Sequence, residues 1–143
     1  IVLAVSFGGK MAAYDKRNGA ILWQADISSA ETPWVAGNTV YVLGAEYKLL
    51  AYSLRTGELL WASDLQKFRD RQDREGLITW TGPIMAGGSL LIVGSHGRVK
   101  EFNPKNGSQI AAWDMKKEVR IPPIVADGAL YLLSADGSLL AYR

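Results

Sequence analysis

Three aspartates recur at one place in this chain. Asp26, Asp64 and Asp114 each follow a turn glycine, Gly19, Gly57 and Gly107, by seven residues. A carboxylate can work as a general acid or base, ligate a hard cation, or accept backbone N–H bonds at a strand end. Repetition favours the last role, because catalysis needs one constellation and not the same carboxylate once per repeat. Asp15, which precedes Gly19 across a turn, has the chemistry of an Asx-type turn. His96 is the only histidine, and the chain has no cysteine. One imidazole in the turn "SHGR", without cysteine or acidic ligands beside it, makes no metal site. No nucleophile–base pair and no glycine-rich phosphate loop before a helix is present. Catalytic, cofactor-binding and metal-ligating residues are therefore all expected to be none.

The remaining concentration of chemistry is a charged stretch at 66–80, "QKFRDRQDREGLITW". Its basic residues include Lys67, Arg69, Arg71 and Arg74, against Asp70, Asp73 and Glu75. The stretch also carries Phe68 and Trp80 as aromatic anchors. Loops on a rigid scaffold are usual places for binding. Phe68, Arg69, Arg71 and Trp80 are the candidate partner-binding residues. The plainer expectation for the same segment is a solvated loop with at most one helical turn.

The elements that must position these groups come from internal repetition, which is sought before any other pattern. "AYDKRNGAILWQADI", from Ala13 to Ile27, aligns with "AYSLRTGELLWASDL", from Ala51 to Leu65, at a constant offset of 38 residues. A third copy, "EFNPKNGSQIAAWDM", runs from Glu101 to Met115, and a fourth begins as "LAYR" at Leu140. The upstream halves align as well. "TPWVAGNTVYVLG", "TGPIMAGGSLLIVG" and "IPPIVADGALYLLS" each hold a proline, a short apolar run, a tight turn and a longer apolar strand. Short β-branched and aliphatic runs between glycine turns read as strands, four per unit. No segment carries an apolar helical stripe. Four-stranded units at a period of 38 to 50 residues are the pattern of propeller blades.

The fold class expected is all-β, a β-propeller. The expected units are 1–27, lacking the innermost strand; 33–65 and 83–115, both complete; and 123–143, lacking the outermost strand. The insert occupies 66–80. This gives about three and a half blades, a partial ring whose open blade edges offer a surface for pairing between chains. The "RNG" and "RTG" triplets suit tight turns in which Gly19 and Gly57 can take φ > 0, and Gly107 keeps the same place in the third copy. Trp23 and Trp61 follow their glycines by four residues, where an indole can stack on the neighbouring blade and on a peptide plane. The third copy has Ala111 there and Trp113 two residues on, read as a displaced form of the same contact. Asp15, Gly19, Trp23, Gly57, Trp61, Gly107 and Trp113 are thus structural repeat residues.

Bulk properties narrow the function classes. The chain has 143 residues, 48% of them hydrophobic, and 16 basic against 14 acidic side chains. That balance gives no polyelectrolyte signal for nucleic acid. No apolar run reaches the length of about 18–20 residues that a membrane helix needs. The chain opens on an apolar strand, "IVLAVSF", without a signal peptide, so an upstream part is expected to be missing.

The repeat residues resemble the PQQ-type propeller repeat, approximately A-x-D-x-x-T-G-x-x-x-W. Ala13, Asp15, Gly19 and Trp23 match it, with Asn18 in place of threonine. Ala51, Thr56, Gly57 and Trp61 match it, with Ser53 in place of aspartate. Asn103 and Gly107 keep what remains of it in the third copy. Blade order, the insert and the ending "VADGALYLLSADGSLLAYR" resemble the C-terminal half of the BamB family in its alphaproteobacterial form. That resemblance implies an eight-bladed periplasmic propeller, tethered to the outer membrane by a lipidated N-terminus upstream. It implies a non-catalytic scaffold that uses no cofactor, docks on the BamA-type barrel assembly subunit and helps present nascent outer-membrane proteins. The alternatives are a fragment of a PQQ-dependent quinoprotein dehydrogenase, which would need Ca²⁺ ligands and a cofactor sandwich, and a propeller sensor ectodomain.

Overall fold

A computed structural model describes residues 1–143. All sixteen elements are β-strands. The first sheet holds β1 (Val2–Val5), β2 (Lys10–Tyr14) and β3 (Ile21–Asp26). The second holds β4 (Trp34–Ala36), β5 (Thr39–Gly44), β6 (Lys48–Ser53) and β7 (Leu59–Asp64). A small hairpin of β8 (Phe68–Asp70) and β9 (Glu75–Leu77) comes next. The third sheet holds β10 (Trp80–Ala86), β11 (Ser89–Gly94), β12 (Arg98–Phe102) and β13 (Gln109–Asp114). The fourth holds β14 (Ile124–Ala126), β15 (Ala129–Leu133) and β16 (Leu139–Tyr142). Every sheet is an antiparallel meander in which consecutive strands are neighbours.

The cores lie between sheets. Strand side chains alternate, so one strand feeds two cores. Val40 and Val42 of β5 face the first sheet and pack with Met11, Ala13, Trp23 and Ile27. Tyr41 and Leu43 of the same strand face the third sheet and pack with Ile78, Trp80, Leu90 and Ile92. Leu91 and Val93 face the fourth sheet, against Leu130 and Leu132. With both faces covered, β5 and β11 are apolar at nearly every position and lose the alternation of a half-exposed strand. The end sheets each have one uncovered face, and on the fourth sheet Ile124 and Leu139 are 66% and 69% exposed.

The structure corrects the expectations for the repeated aspartates and for the insert. Asp26 and Asp64 do not cap backbone. Each is the cross-strand partner of a lysine, Lys10 and Lys48, and each forms an ion pair with it, the second at 3.0 Å. Antiparallel register puts these carboxylates directly opposite the ammonium groups. Only Asp114 accepts a backbone N–H, from Lys116 at 2.7 Å. The charged insert is no helical turn. It is the β8–β9 hairpin, closed by an N–H of Ile78 donating to the carbonyl of Lys67 at 2.9 Å. The third sheet also starts ahead of Pro83. β10 opens at Trp80, and a bulge between Thr81 and Ile84 carries the strand past the cis Gly82–Pro83 bond.

Candidate functional site

The first sheet joins the second, and the second joins the third, through an indole on a turn. Gly19, Gly57 and Gly107 all sit at φ 73°, where a glycine has no steric penalty. Their turns share one construction. The N–H of the glycine donates to the carbonyl of Asp15, Ser53 or Asn103, each at 2.8 Å. The side chain at that first position accepts an N–H from within the turn: from Arg17 onto Asp15, from Thr56 onto Ser53, from Lys105 onto Asn103. Asp15 is further held by Arg17, whose hydrogen bond keeps its carboxyl below the usual carboxylate range.

Trp23 reaches the next sheet's turn. Its indole N–H donates to the Leu54 carbonyl at 2.8 Å, and its ring covers Gly57 so closely that a Cβ there would lie 2.6 Å from it. Trp61 repeats this on the third sheet, donating to the Pro104 carbonyl at 3.0 Å and covering Gly107. Ser63 adds a hydrogen bond to the Gly107 carbonyl. Trp113 stands apart. It lies opposite Val99 at the margin of the core between the third and fourth sheets, with no turn glycine against its ring.

The four candidate partner-binding residues separate in space. Trp80 is buried, its N–H donating to the Gln66 carbonyl at 2.7 Å. It is core and leaves the candidate surface; its place on a strand was hidden by the bulge. Phe68 is half-buried on the hairpin, with the Lys67 ammonium 5.5 Å from its ring centre. Arg69 is exposed and pairs with Glu118 at 3.5 Å, tying the hairpin to the connection before the fourth sheet. Arg71 is exposed and donates to Gln66 Oε1 at 3.4 Å. The surface that remains is the hairpin with Phe68, Arg69 and Arg71. Around one groove of about 460 Å³, Phe68 and Arg71 are joined by Lys67, Arg74 and Lys100. Sequence reading missed Lys100, which lies a full strand pair away from the insert and comes to it only through sheet packing.

His96 sits in the β11–β12 turn as expected. Its ring meets Trp80 edge-on at 5.6 Å and covers Gly94. Burial, then the nearby Arg69, holds the imidazole below its ordinary value. Glu31 bridges sheets: its carboxylate accepts the Gly82 N–H at 3.2 Å, and burial raises its pKa.

The forward contact of one sheet on the turn of the next, repeated along a row of antiparallel sheets, defines a PQQ-like β-propeller, here a partial ring. A family model described as outer membrane protein assembly factor BamB matches residues 1–113 and again 45–143. The chain belongs to that family. It is 28% identical over its whole length to outer membrane protein assembly factor BamB of Alkalilimnicola ehrlichii, covering 35% of that protein. It is 25% identical over 97% of its length to the BamB of Escherichia coli K12, covering 33% of it. The chain thus spans about a third of the curated relatives it matches. The crystal structure of BamB from Moraxella catarrhalis superposes at a TM-score of 0.83, with 22% identity, over 99% of this chain and 40% of that one. The computationally designed Ika4 protein superposes at 0.70, with 14% identity, over 98% of this chain and 82% of its own. At these identities the two structures speak for the fold alone.

Proposed function

We propose that this chain is part of a protein-binding scaffold of the BamB type, a non-catalytic factor in assembly of outer-membrane β-barrel proteins. The observation that carries the reading is the family match, which runs through every residue of the chain. The relatives from Alkalilimnicola ehrlichii and Escherichia coli carry the assembly-factor name, and neither is named a dehydrogenase or a sensor. In this reading the parent acts in the periplasm, held to the outer membrane by a lipidated upstream segment, and docks on the BamA-type subunit. The blade division 1–27, 33–65, 83–115 and 123–143 belongs to the same proposal, with the third unit opened by Trp80.

The unpaired outer edges of β3, β7 and β13 support the scaffold role. An extended client segment can add to such an edge by backbone hydrogen bonds. Leu22, Leu60 and Ile110 lie exposed on these three strands and give an added strand apolar contacts. Within the insert, Phe68, Arg69 and Arg71 are the proposed partner contacts.

The test is recovery of the BamA-type subunit from solubilised outer membranes by the tagged full-length parent. Recovery supports the scaffold. No recovery, together with quinone- and Ca²⁺-dependent dye reduction, overturns it in favour of a dehydrogenase.

A further inference from the structure

One cluster of charge is used by no ion pair in the molecule. The groove between the second and third sheets, roofed by the β8–β9 hairpin, is lined by Lys67, Arg71, Arg74 and Lys100. Its one carboxylate, Asp64, is taken by Lys48. The ion pairs of the protein use Lys10, Arg17, Lys48, Arg69, Lys117 and Arg120, and none of the four groove cations. Asp70, which stands beside them on β8, turns its carboxylate to the N–H groups of Gln72 and Asp73.

Lys100 is the unusual member. It is only 9% exposed, and its ammonium has no carboxylate partner. That ammonium lies 5.3 Å from the ring centre of Trp80. The stem of this side chain is buried while the residue lines the open groove, and a partly desolvated cation without a counter-charge is costly to hold. Burial first, then repulsion from Arg71 and Arg98, holds this ammonium below the usual lysine value. Lys67 likewise has rings near it, Tyr47 at 5.4 Å and Phe68 at 5.5 Å. Four cations facing one groove with no free anion among them is an arrangement that an incoming anion would relieve.

We propose that this groove binds the carboxylates of an acidic, extended peptide segment of a partner protein, laid along the outer edge of β7. The β7 edge is unpaired, and Asp64 at its end forms part of the groove wall. A strand added there would point alternate side chains toward the groove. The near-neutral whole chain, at a net charge of +2, argues against a broad anionic membrane surface as the partner. The inference deepens the partner role proposed for the insert and rests on that reading.

The experiment uses the full-length protein and a fluorescein-labelled peptide alternating glutamate and valine, with a glutamine–valine peptide as its neutral twin. Fluorescence anisotropy is read at low salt. The glutamate peptide is expected to bind at least ~10-fold more tightly than its twin, the factor that about 1.4 kcal/mol gives. Lys100→Met, and separately Arg71→Ser with Arg74→Ser, should each remove that preference, while Lys16→Ser in the β2–β3 turn should not. The arginine pair lies on an exposed hairpin, so it tests the site even if Lys100→Met fails to fold. Equal binding of the two peptides, equal loss with Lys16→Ser, or preferential binding of phosphatidylglycerol vesicles or inorganic phosphate would overturn the proposal. Peptide preference without recovery of the BamA-type subunit would remove the assembly reading alone. Recovery without peptide preference would remove this inference alone.

Discussion

At Gly57 and Gly107 the absence of a side chain is a requirement of the neighbouring sheet. The indole of Trp23 or Trp61 occupies the space a Cβ would take, and the backbone is left-handed. Gly107→Ala therefore combines backbone strain of about 1–2 kcal/mol with overpacking of about 1–3 kcal/mol. Gly19→Ala has the same φ but nothing within 4 Å, so it should lose only the first part. Trp61→Ala, which empties the same contact from the other side, is expected to cost about 3–5 kcal/mol. Urea melts of the three variants check this order, and equal losses for Gly19→Ala and Gly107→Ala would remove the stacking argument. Glu31 gives a residue-scale test in pH. Its folded pKa is raised by burial, so the folded state holds the proton more tightly than the unfolded chain. Stability is then lost as pH rises through and above the usual glutamate value of about 4.3. Glu31→Gln keeps an acceptor for the Gly82 N–H and should flatten that loss. An unchanged stability–pH profile would show that Glu31 is not the cause.

At the scale of elements, the insert is separable from the sheets it joins. Its ends already meet, because Ile78 and Lys67 share a hydrogen bond. Replacing 68–77 by a two-residue Asn-Gly turn should leave one cooperative transition, with a change within about 1 kcal/mol. A broadened or split transition would make the hairpin part of the core. This hairpin was not readable from its residues. "RDRQDRE" has no apolar alternation and is poor in strand formers, so only two short strands pairing in three dimensions reveal it. The repeat, in contrast, was readable because the turn glycine and its aromatic neighbour recur at fixed spacing. The lysine partners of Asp26 and Asp64 were not, since they lie a hairpin away and meet their carboxylates only through register. Trp80 fell on the wrong side of the insert because a bulge extends β10 beyond its proline.

For the whole molecule, burial is almost entirely an affair between sheets, so each sheet depends on having a neighbour on both sides. The fourth sheet has a neighbour on one side only, and there Ile124, Leu133 and Leu139 present an apolar face to water. Faces of this kind mark interaction surfaces. The isolated 143-residue chain should therefore associate with itself as concentration rises. Ile124→Lys with Leu139→Lys should shift it toward monomer in sedimentation velocity. Association unaffected by the two lysines would move the contact to the open strand edges.

The indole contacts also have a direction. Trp23 closes on a turn that comes later in the chain, and Trp61 does the same one sheet further on. During synthesis, each of the first two sheets emerges with its tryptophan unsheltered and can shelter it only after its successor's turn has been made. Maturation would therefore run from the first sheet through the second to the third, each of the first two waiting on the one behind it.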